Sequence, residues 1–192
     1  MKKVLLISPD TINKKMAGPA IRYLNLAKEL SSYTDLTLFM PNKVTDMSFS
    51  EAAFKVIKGD TKELKKIART SDVILIQGIA LRAYPFLKKV SAAKIIDLYD
   101  PITLENLELR KELAIKDRID YHETDLEIIL EQLLIGDFYI CASEKQRDYW
   151  LGMLAAVNRV NPCTYVDDSN MRKLIDVVPF GLNNEPPIKT KD

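Results

Sequence analysis

The chain has 192 residues, of which 47% are hydrophobic and 29% charged, a balance typical of one soluble globular domain with a sizeable core. Its net charge of +1 gives no reason to expect nucleic acid as a partner, and no apolar run is long enough to span a membrane. Six widely spaced glycines exclude the G-x-G-x-x-G and P-loop motifs, while one histidine and two cysteines exclude the common zinc motifs, so we predict no metal site and a reduced, cytoplasmic protein.

The first half of the chain alternates strand-like and helix-like segments. Apolar, β-branched runs predict four strands, at residues 4–7, 35–40, 53–57 and 72–77. Gly18 and Pro19 begin a helix that extends to about Leu30, since proline is well tolerated in the first helical turn. Asp60 caps a second helix over 62–69. The next helical segment, 79–90, must bend or restart near its proline.

The second half continues the alternation. Further strands are predicted at residues 94–98, 137–141 and 174–178. The long helical stretch 103–135 is expected to be two helices, and another helix runs from Ser143 to about Asn158. Alternating buried strands and helices predict an α/β fold: a doubly wound, mostly parallel Rossmann-like sheet with helices on both faces. We assign residues 1–181 to this domain and 182–192 to a tail or the start of a linker.

The loop after the first strand forms one candidate site, because ligands of such sheets bind at the carboxyl ends of the strands. Lys15, Ala17 and Gly18 precede a helix whose free N-terminal amides suit an anion such as a diphosphate, and Arg22 adds a further charge. The alternative is that Gly18 is a turn residue and Arg22 a solvated side chain.

Other strand ends supply further candidates. Asp100 follows the strand at 94–98, where it could accept a hydrogen bond from a hydroxyl ligand or simply cap a turn before proline. Asp97 lies inside that strand and needs a buried partner. Glu144 and Arg147 begin a later helix, where a helix dipole and an i,i+3 ion pair explain them without a function.

Several segments together resemble one known family. The glycine loop Ala-Gly-Pro-Ala-Ile-Arg-Tyr at 17–23, the Gln-Gly pair at 77–78 and the segments 136–144 and 177–182 resemble family 4 glycosyltransferases, which have the GT-B fold. The stretch 143–152 looks like bacterial members from polysaccharide gene clusters. The resemblance places the chain on the N-terminal, acceptor-binding half of such an enzyme, with the donor-binding C-terminal domain missing.

The resemblance implies retaining sugar transfer from a nucleotide-sugar co-substrate to a glycan or lipid-linked acceptor, usually without a metal and with no other cofactor. It also implies peripheral contact with the inner face of a membrane where the acceptor is lipid-linked. Half an active site is expected to be inactive alone. The alternative is a non-catalytic flavodoxin-like binding or signalling module, although the acids of a signalling receiver are reduced here to Asp10 after the first strand.

The resemblance also assigns residue roles. Gly18 and its neighbours Ala17, Lys15 and Arg22 would contact the donor diphosphate. Asp100 matches an acidic residue at a strand tip and is the candidate catalytic residue. Many relatives have histidine where this chain has Tyr99, and a phenol cannot replace imidazole as a proton acceptor near neutral pH. The acceptor side would comprise Gln77, Gly78, Tyr99, Glu144 and Arg147.

Overall fold

The computed structural model describes residues 1–181; the tail or linker predicted at 182–192 lies outside the described residues. Its core is a seven-stranded sheet with the strand order β3-β2-β1-β4-β5-β6-β7, and every neighbouring pair is parallel. The strands are β1 Lys3–Ile7, β2 Asp35–Met40, β3 Lys55–Lys58, β4 Val73–Ile76, β5 Ala93–Asp97, β6 Phe138–Cys141 and β7 Ile175–Val177. The predicted α/β, doubly wound Rossmann-like fold is confirmed.

The central strands β1 and β4 carry continuous apolar runs and are buried on both faces. Leu5 and Ile7 of β1 join one apolar core, and Leu6 between them joins a second core on the opposite face. All three side chains are almost fully buried. The two cores hold the helices against the two faces, which is why these segments read as unbroken apolar runs and not as alternating ones.

Helices connect most of the successive strands and pack on the two faces of the sheet. They are α1 Gly18–Leu30, α2 Thr61–Ala68, α3 Ala80–Ala83, a 3₁₀ turn Pro85–Lys89, α4 Ile102–Leu109, α5 Ile115–Ile135, α6 Glu144–Ala156 and α7 Pro162–Asp167. Asp60 caps α2 by accepting hydrogen bonds from the amides of Lys62 and Glu63, as its position predicted. As expected, the helical segment 79–90 is interrupted at its proline: α3 ends at Ala83 and the 3₁₀ turn begins at Pro85. The stretch 103–135 also divides into two helices, α4 and α5, as predicted.

Two details differ from the sequence prediction. Strand β3 is shifted to Lys55–Lys58 because it pairs with the end of β2, and the preceding Phe54 packs on the core from the loop. Helix α7 was not predicted, since none of its residues is buried and it carries no apolar periodicity. Its signal is local: Asn161 and Thr164 form a capping box, with a proline directly after Asn161.

The strand order also bears on the signalling alternative. Strands β1 and β4 are neighbours, and the chain leaves them in opposite directions, towards β2 and β5 respectively. This is the dinucleotide-fold order 3-2-1-4-5-6 and differs from the flavodoxin order 2-1-3-4-5. Topology therefore gives the flavodoxin-like alternative no support. Within residues 1–181, no helix combines the length and the apolar character needed to cross a bilayer.

Candidate functional site

The candidate site lies at the carboxyl edge of the sheet, where β1, β4 and β5 end side by side. The two neighbouring strands β1 and β4 form the topological switch point, at which open α/β sheets bind their ligands. Beyond β4 lie Gln77 and Gly78, and beyond β5 lie Tyr99 and Asp100. The N-terminus of α1 with Gly18 meets the same edge, so the structure brings these five predicted residues together.

The N-terminus of α1 faces the site without a side-chain cap. Ala17 is the N-cap and its side chain makes no capping hydrogen bond, while Pro19 occupies the first turn. Among the described residues, no hydrogen-bond partner is present for the amides of Gly18 and Ala20. A Cβ added to Gly18 would lie 3.8 Å from the Tyr99 hydroxyl oxygen, so the free amides open beside a phenol. This arrangement suits an oxyanion.

Arg22 is buried in an ion pair, which excludes the solvated alternative. Its Nε lies 2.7 Å from Oδ2 of Asp97 and its Nη2 lies 3.2 Å from the other carboxylate oxygen. Its Nη1 donates to the backbone carbonyls of Val178 and Pro179 at 2.9 and 3.0 Å. The buried partner that Asp97 was expected to need is thus Arg22. A diphosphate contact by Arg22 stays a prediction, because the protein itself occupies most of its donors.

The Arg22 guanidinium also supports the aromatic wall of the site. Its central carbon lies 5.2 Å from the centre of the Tyr99 ring, within cation–π range. The Phe180 ring packs against Tyr99 as well, with the two ring centres 5.6 Å apart. Burial, followed by the charge of Asp100, raises the pKa of Tyr99. Tyr99 therefore stays protonated at neutral pH, and its hydroxyl can donate a hydrogen bond to a ligand.

Asp100 forms a close pair with Gln77. The Gln77 Nε2 donates to Oδ2 of Asp100 at 2.6 Å. Burial raises the pKa of Asp100 to about 6, and the negative charges of Glu105 and Asp97 add to that effect. A carboxyl group with a pKa this close to neutrality exchanges a proton readily, which is the property a general acid or base requires.

A small cavity of about 130 Å³ opens behind this pair, between the strand ends and the helices α4 and α5. Gln77 and Asp100 contribute to its polar wall, and Ile79, Ile102 and Ile129 are among its apolar lining. The Oε1 atom of Gln77 is buried and has no hydrogen-bond partner. An unpaired acceptor in a buried position costs free energy, so it marks a place where a donor belongs.

Lys15, Glu144 and Arg147 lie elsewhere. Lys15 is exposed and lines a surface groove with residues 44–46. Glu144 pairs with Arg172, its carboxylate oxygens lying 2.8 and 3.0 Å from Nη2, so the expected i,i+3 pair with Arg147 is wrong. Arg147 is buried and donates to the carbonyls of residues 170 and 175, which fixes the segment leading to β7. Their predicted donor and acceptor contacts stay predictions.

Two residues of the site were missed from the sequence. Gln146 donates to the carbonyl of Tyr99 at 3.0 Å and accepts from the amide of Ala142 at 2.8 Å, which joins the β6–α6 loop to the tip of β5. Phe180 packs on Tyr99 and approaches Gly18. Phe180 has a signal in the sequence, because it is an aromatic residue three positions after the end of the last strand. The side chain of Gln146 has none.

The described residues contain no group of three or more His, Cys, Asp or Glu side chains that could hold a metal ion. The buried thiol of Cys141 has its pKa raised by burial, which suits an inert core residue. No protein-family model matches the chain, and no curated protein matches it significantly.

Proposed function

We propose that the chain is the N-terminal, acceptor-binding half of a retaining glycosyltransferase of the GT-B fold, which transfers a sugar from a nucleotide-sugar to a polysaccharide or lipid-linked acceptor. One observation carries the proposal. The uncapped N-terminus of α1 and the Asp100–Gln77 pair meet at the same edge of the sheet, beside the switch point. Tyr99 lies between them, since its hydroxyl is near Gly18 and its backbone directly precedes Asp100. An anion site beside a carboxyl group is what transfer from a diphosphate to a hydroxyl requires.

In this scheme the amides of Gly18 and Ala20 donate to the diphosphate when the second domain closes over the edge, and the Tyr99 hydroxyl lies close enough to add a third donor. Charge that develops on the leaving diphosphate is thereby stabilised by fixed dipoles. Asp100 accepts a hydrogen bond from the acceptor hydroxyl. The nucleotide itself is assigned to the proposed C-terminal domain, since this edge offers no glycine-rich phosphate loop.

A lipid-linked acceptor would bring the domain to a membrane surface. The hairpin of α4 and α5 supports this part of the proposal because it exposes large apolar side chains, including Leu104, Leu107, Leu109, Leu113, Ile115 and Ile119. Sedimentation with neutral and anionic liposomes tests the contact. We expect co-sedimentation that is not increased by anionic lipid, because this hairpin mixes basic residues with a larger number of acidic ones. Absence of co-sedimentation from both liposome types would exclude the membrane contact.

The decisive experiment joins residues 1–192 to the coding sequence that follows in the gene and measures nucleotide-sugar turnover. We expect turnover by the joined protein, a large loss with Asp100→Asn, and none by residues 1–192 alone. The exposed Asp117→Asn serves as the matched control and should keep full activity. Turnover by residues 1–192 alone would show that the active site is not divided between two domains, and inactivity of the joined protein with all common nucleotide-sugars would remove the proposed reaction.

A further inference from the structure

The small cavity behind Asp100 is lined by the side-chain amides of Gln77 and Gln132 besides its two carboxylates, and one acceptor among these groups is buried without a donor. Gln77 is only 4% exposed, and its Oε1 is buried without a partner although the cavity adjoins it. Its Nε2 already donates a hydrogen bond to the carboxylate of Asp100. The group that completes this site must therefore donate at least one hydrogen bond to Gln77 Oε1.

The charge around the cavity is negative and uncompensated. Asp100 lines it, and the nearby Glu105 makes ionisation of Asp100 more costly. Among the described residues, no lysine or arginine lines the cavity. The guanidinium of Arg22 is bound to Asp97 inside the strand tip. An anion is therefore excluded, and a cation is favoured over a neutral donor, because it would neutralise Asp100.

We propose that this cavity binds a primary ammonium group, which donates one hydrogen bond to Oε1 of Gln77 and a second to the carboxylate of Asp100. An ammonium has three donors and no acceptor, so it can donate to Oε1 of Gln77 and to Asp100 at once. The amide of Gln132, whose Nε2 donates to the carbonyl of Ile128 at 3.2 Å, completes the polar lining. The apolar side chains of Ile79 and Ile102 leave room for the carbon that carries the nitrogen. Hydrogen bonds between an ammonium and a carboxylate are also stronger than those between neutral groups.

The size of the cavity limits the ligand. A volume of about 130 Å³ holds an aminomethyl group or the amino-bearing edge of a sugar, but not a whole hexose with its substituents. Water alone would fill the same space with roughly four molecules at about 30 Å³ each. A divalent metal ion is disfavoured because only two carboxylates, those of Asp97 and Asp100, are among the described residues that line the cavity, and Arg22 neutralises the first.

The cavity adjoins the edge to which we assign the acceptor, so on the proposed function the acceptor carries an amino group. This step rests on that function, whereas ammonium binding does not. The binding experiment is therefore done without any sugar transfer. Failure to bind an ammonium would leave the proposed transferase intact, and failure of turnover would leave the ammonium site intact.

The test uses the full 192-residue chain, labelled with ¹⁵N, and a matched pair of probes at pH 7: ethanolamine and ethylene glycol, of which only the first has an amino group. We expect ethanolamine to shift the side-chain amide of Gln77 and the backbone amide of Gly78, and to bind at least about tenfold more tightly than ethylene glycol. Equal binding of the two probes, or binding of neither, would overturn the proposal. So would magnesium chloride that shifts the same amides and displaces ethanolamine.

Variants separate binding from folding. Asp100→Asn removes the charge and Gln77→Leu removes the unpaired acceptor, so each should weaken ethanolamine binding about tenfold or more. The control is Asp117→Asn, an exposed carboxylate at the start of α5, which should bind ethanolamine normally. Thermal unfolding of each variant shows that it is folded. Unchanged binding by folded Asp100→Asn, or by folded Gln77→Leu, would contradict the assignment.

Discussion

The buried ion pair of Arg22 and Asp97 is the most deeply buried charged contact of the site edge, with both side chains at most 1% exposed. Removing one member leaves the other as an unpaired buried charge, which costs about 3–5 kcal/mol of unfolding free energy. We therefore expect Arg22→Met to destabilise the chain by that amount in urea unfolding.

Two comparisons isolate the ion pair. The double variant Arg22→Met with Asp97→Leu should recover part of the loss, because no charge then remains unpaired. Arg172→Ala, which breaks exposed pairs with Glu144 and Asp176, should cost at most about 1 kcal/mol. A loss for Arg22→Met as small as that for Arg172→Ala would show that the pair contributes little.

Asp100 makes the stability of the chain depend on pH. Its pKa is raised from 3.8 to about 6, so between these values the folded chain binds more protons than the unfolded chain. Stability contributed by this group is thus fully present below about pH 4 and is lost as the pH rises through 6. An NMR titration of the Asp100 carboxyl carbon should give a midpoint near 6.

The causes of the Asp100 shift can be tested separately. Glu105→Gln should lower the midpoint, since it removes a neighbouring negative charge, and Gln77→Leu should raise it, since it removes a donor to the carboxylate. Asp117→Asn, which changes an exposed carboxylate, is the control and should leave the titration midpoint of Asp100 unchanged. A midpoint near 4 in the unmodified chain would mean that Asp100 is solvated and would remove it as a candidate acid or base.

At the scale of elements, α1 carries a glycine whose role is access and not conformation. A methyl group added at Gly18 would meet only ordinary contacts, with Tyr99 and Phe180 at 3.8 Å, so Gly18→Ala fits without strain. The stability should change by less than about 1 kcal/mol. The added methyl would nevertheless crowd the free amides, so we expect a raised KM for the nucleotide-sugar in the joined two-domain protein.

A second glycine provides the matched control for that prediction. Gly152 lies within α6, is exposed and has open space around a Cβ, so Gly152→Ala should stabilise the chain by up to about 1 kcal/mol and leave KM unchanged. Urea unfolding and initial-rate kinetics measure both effects. An unchanged KM in Gly18→Ala would mean that the diphosphate does not approach the α1 amides.

The helices and strands also show which features could be predicted from the sequence. The strands were predictable because a buried parallel strand is a local apolar run, and α2 because Asp60 is a local cap. The side-chain partners that are distant in the sequence were not predictable. Arg22 and Asp97 are 75 residues apart, and Gln77 and Asp100 are 23 apart. Sequence chemistry shows that Asp97 needs a partner, but only the strand order decides which cation reaches it.

At the scale of the whole molecule, seven of the predicted site residues converge because the sheet reverses its winding between β1 and β4. Ala17, Gly18, Arg22 and the four strand-end residues are brought to one edge by that topology. Glu144 and Arg147 follow β6, two strands further from the switch point, and there they form contacts with the segment before and within β7. Among the residues predicted from the sequence, those next to the switch point therefore form the site, whereas Glu144 and Arg147 hold the segment that supports it.

The segment that follows β7, residues 178–181, lies along the same edge. Val178 and Pro179 supply two of the acceptors of Arg22, and Phe180 packs on Tyr99, so this segment is part of the site wall. Ending the chain at residue 177 removes these acceptors and the aromatic contact, whereas ending it at 181 keeps them. We expect the shorter chain to be less stable by about 1–3 kcal/mol, because Arg22 loses two backbone acceptors and Tyr99 loses its aromatic neighbour.

Urea unfolding of the two truncated chains measures this difference, and Phe180→Ala in the longer chain gives the aromatic share separately. We expect Phe180→Ala to account for less than half of the loss, since Phe180 is only partly buried. Equal unfolding free energies of the chains ending at 177 and 181 would mean that residues 178–181 do not stabilise the domain. A clear difference would mean that residues 178–181 hold Arg22 in place, and through Asp97 and Tyr99 the strand tip that carries Asp100.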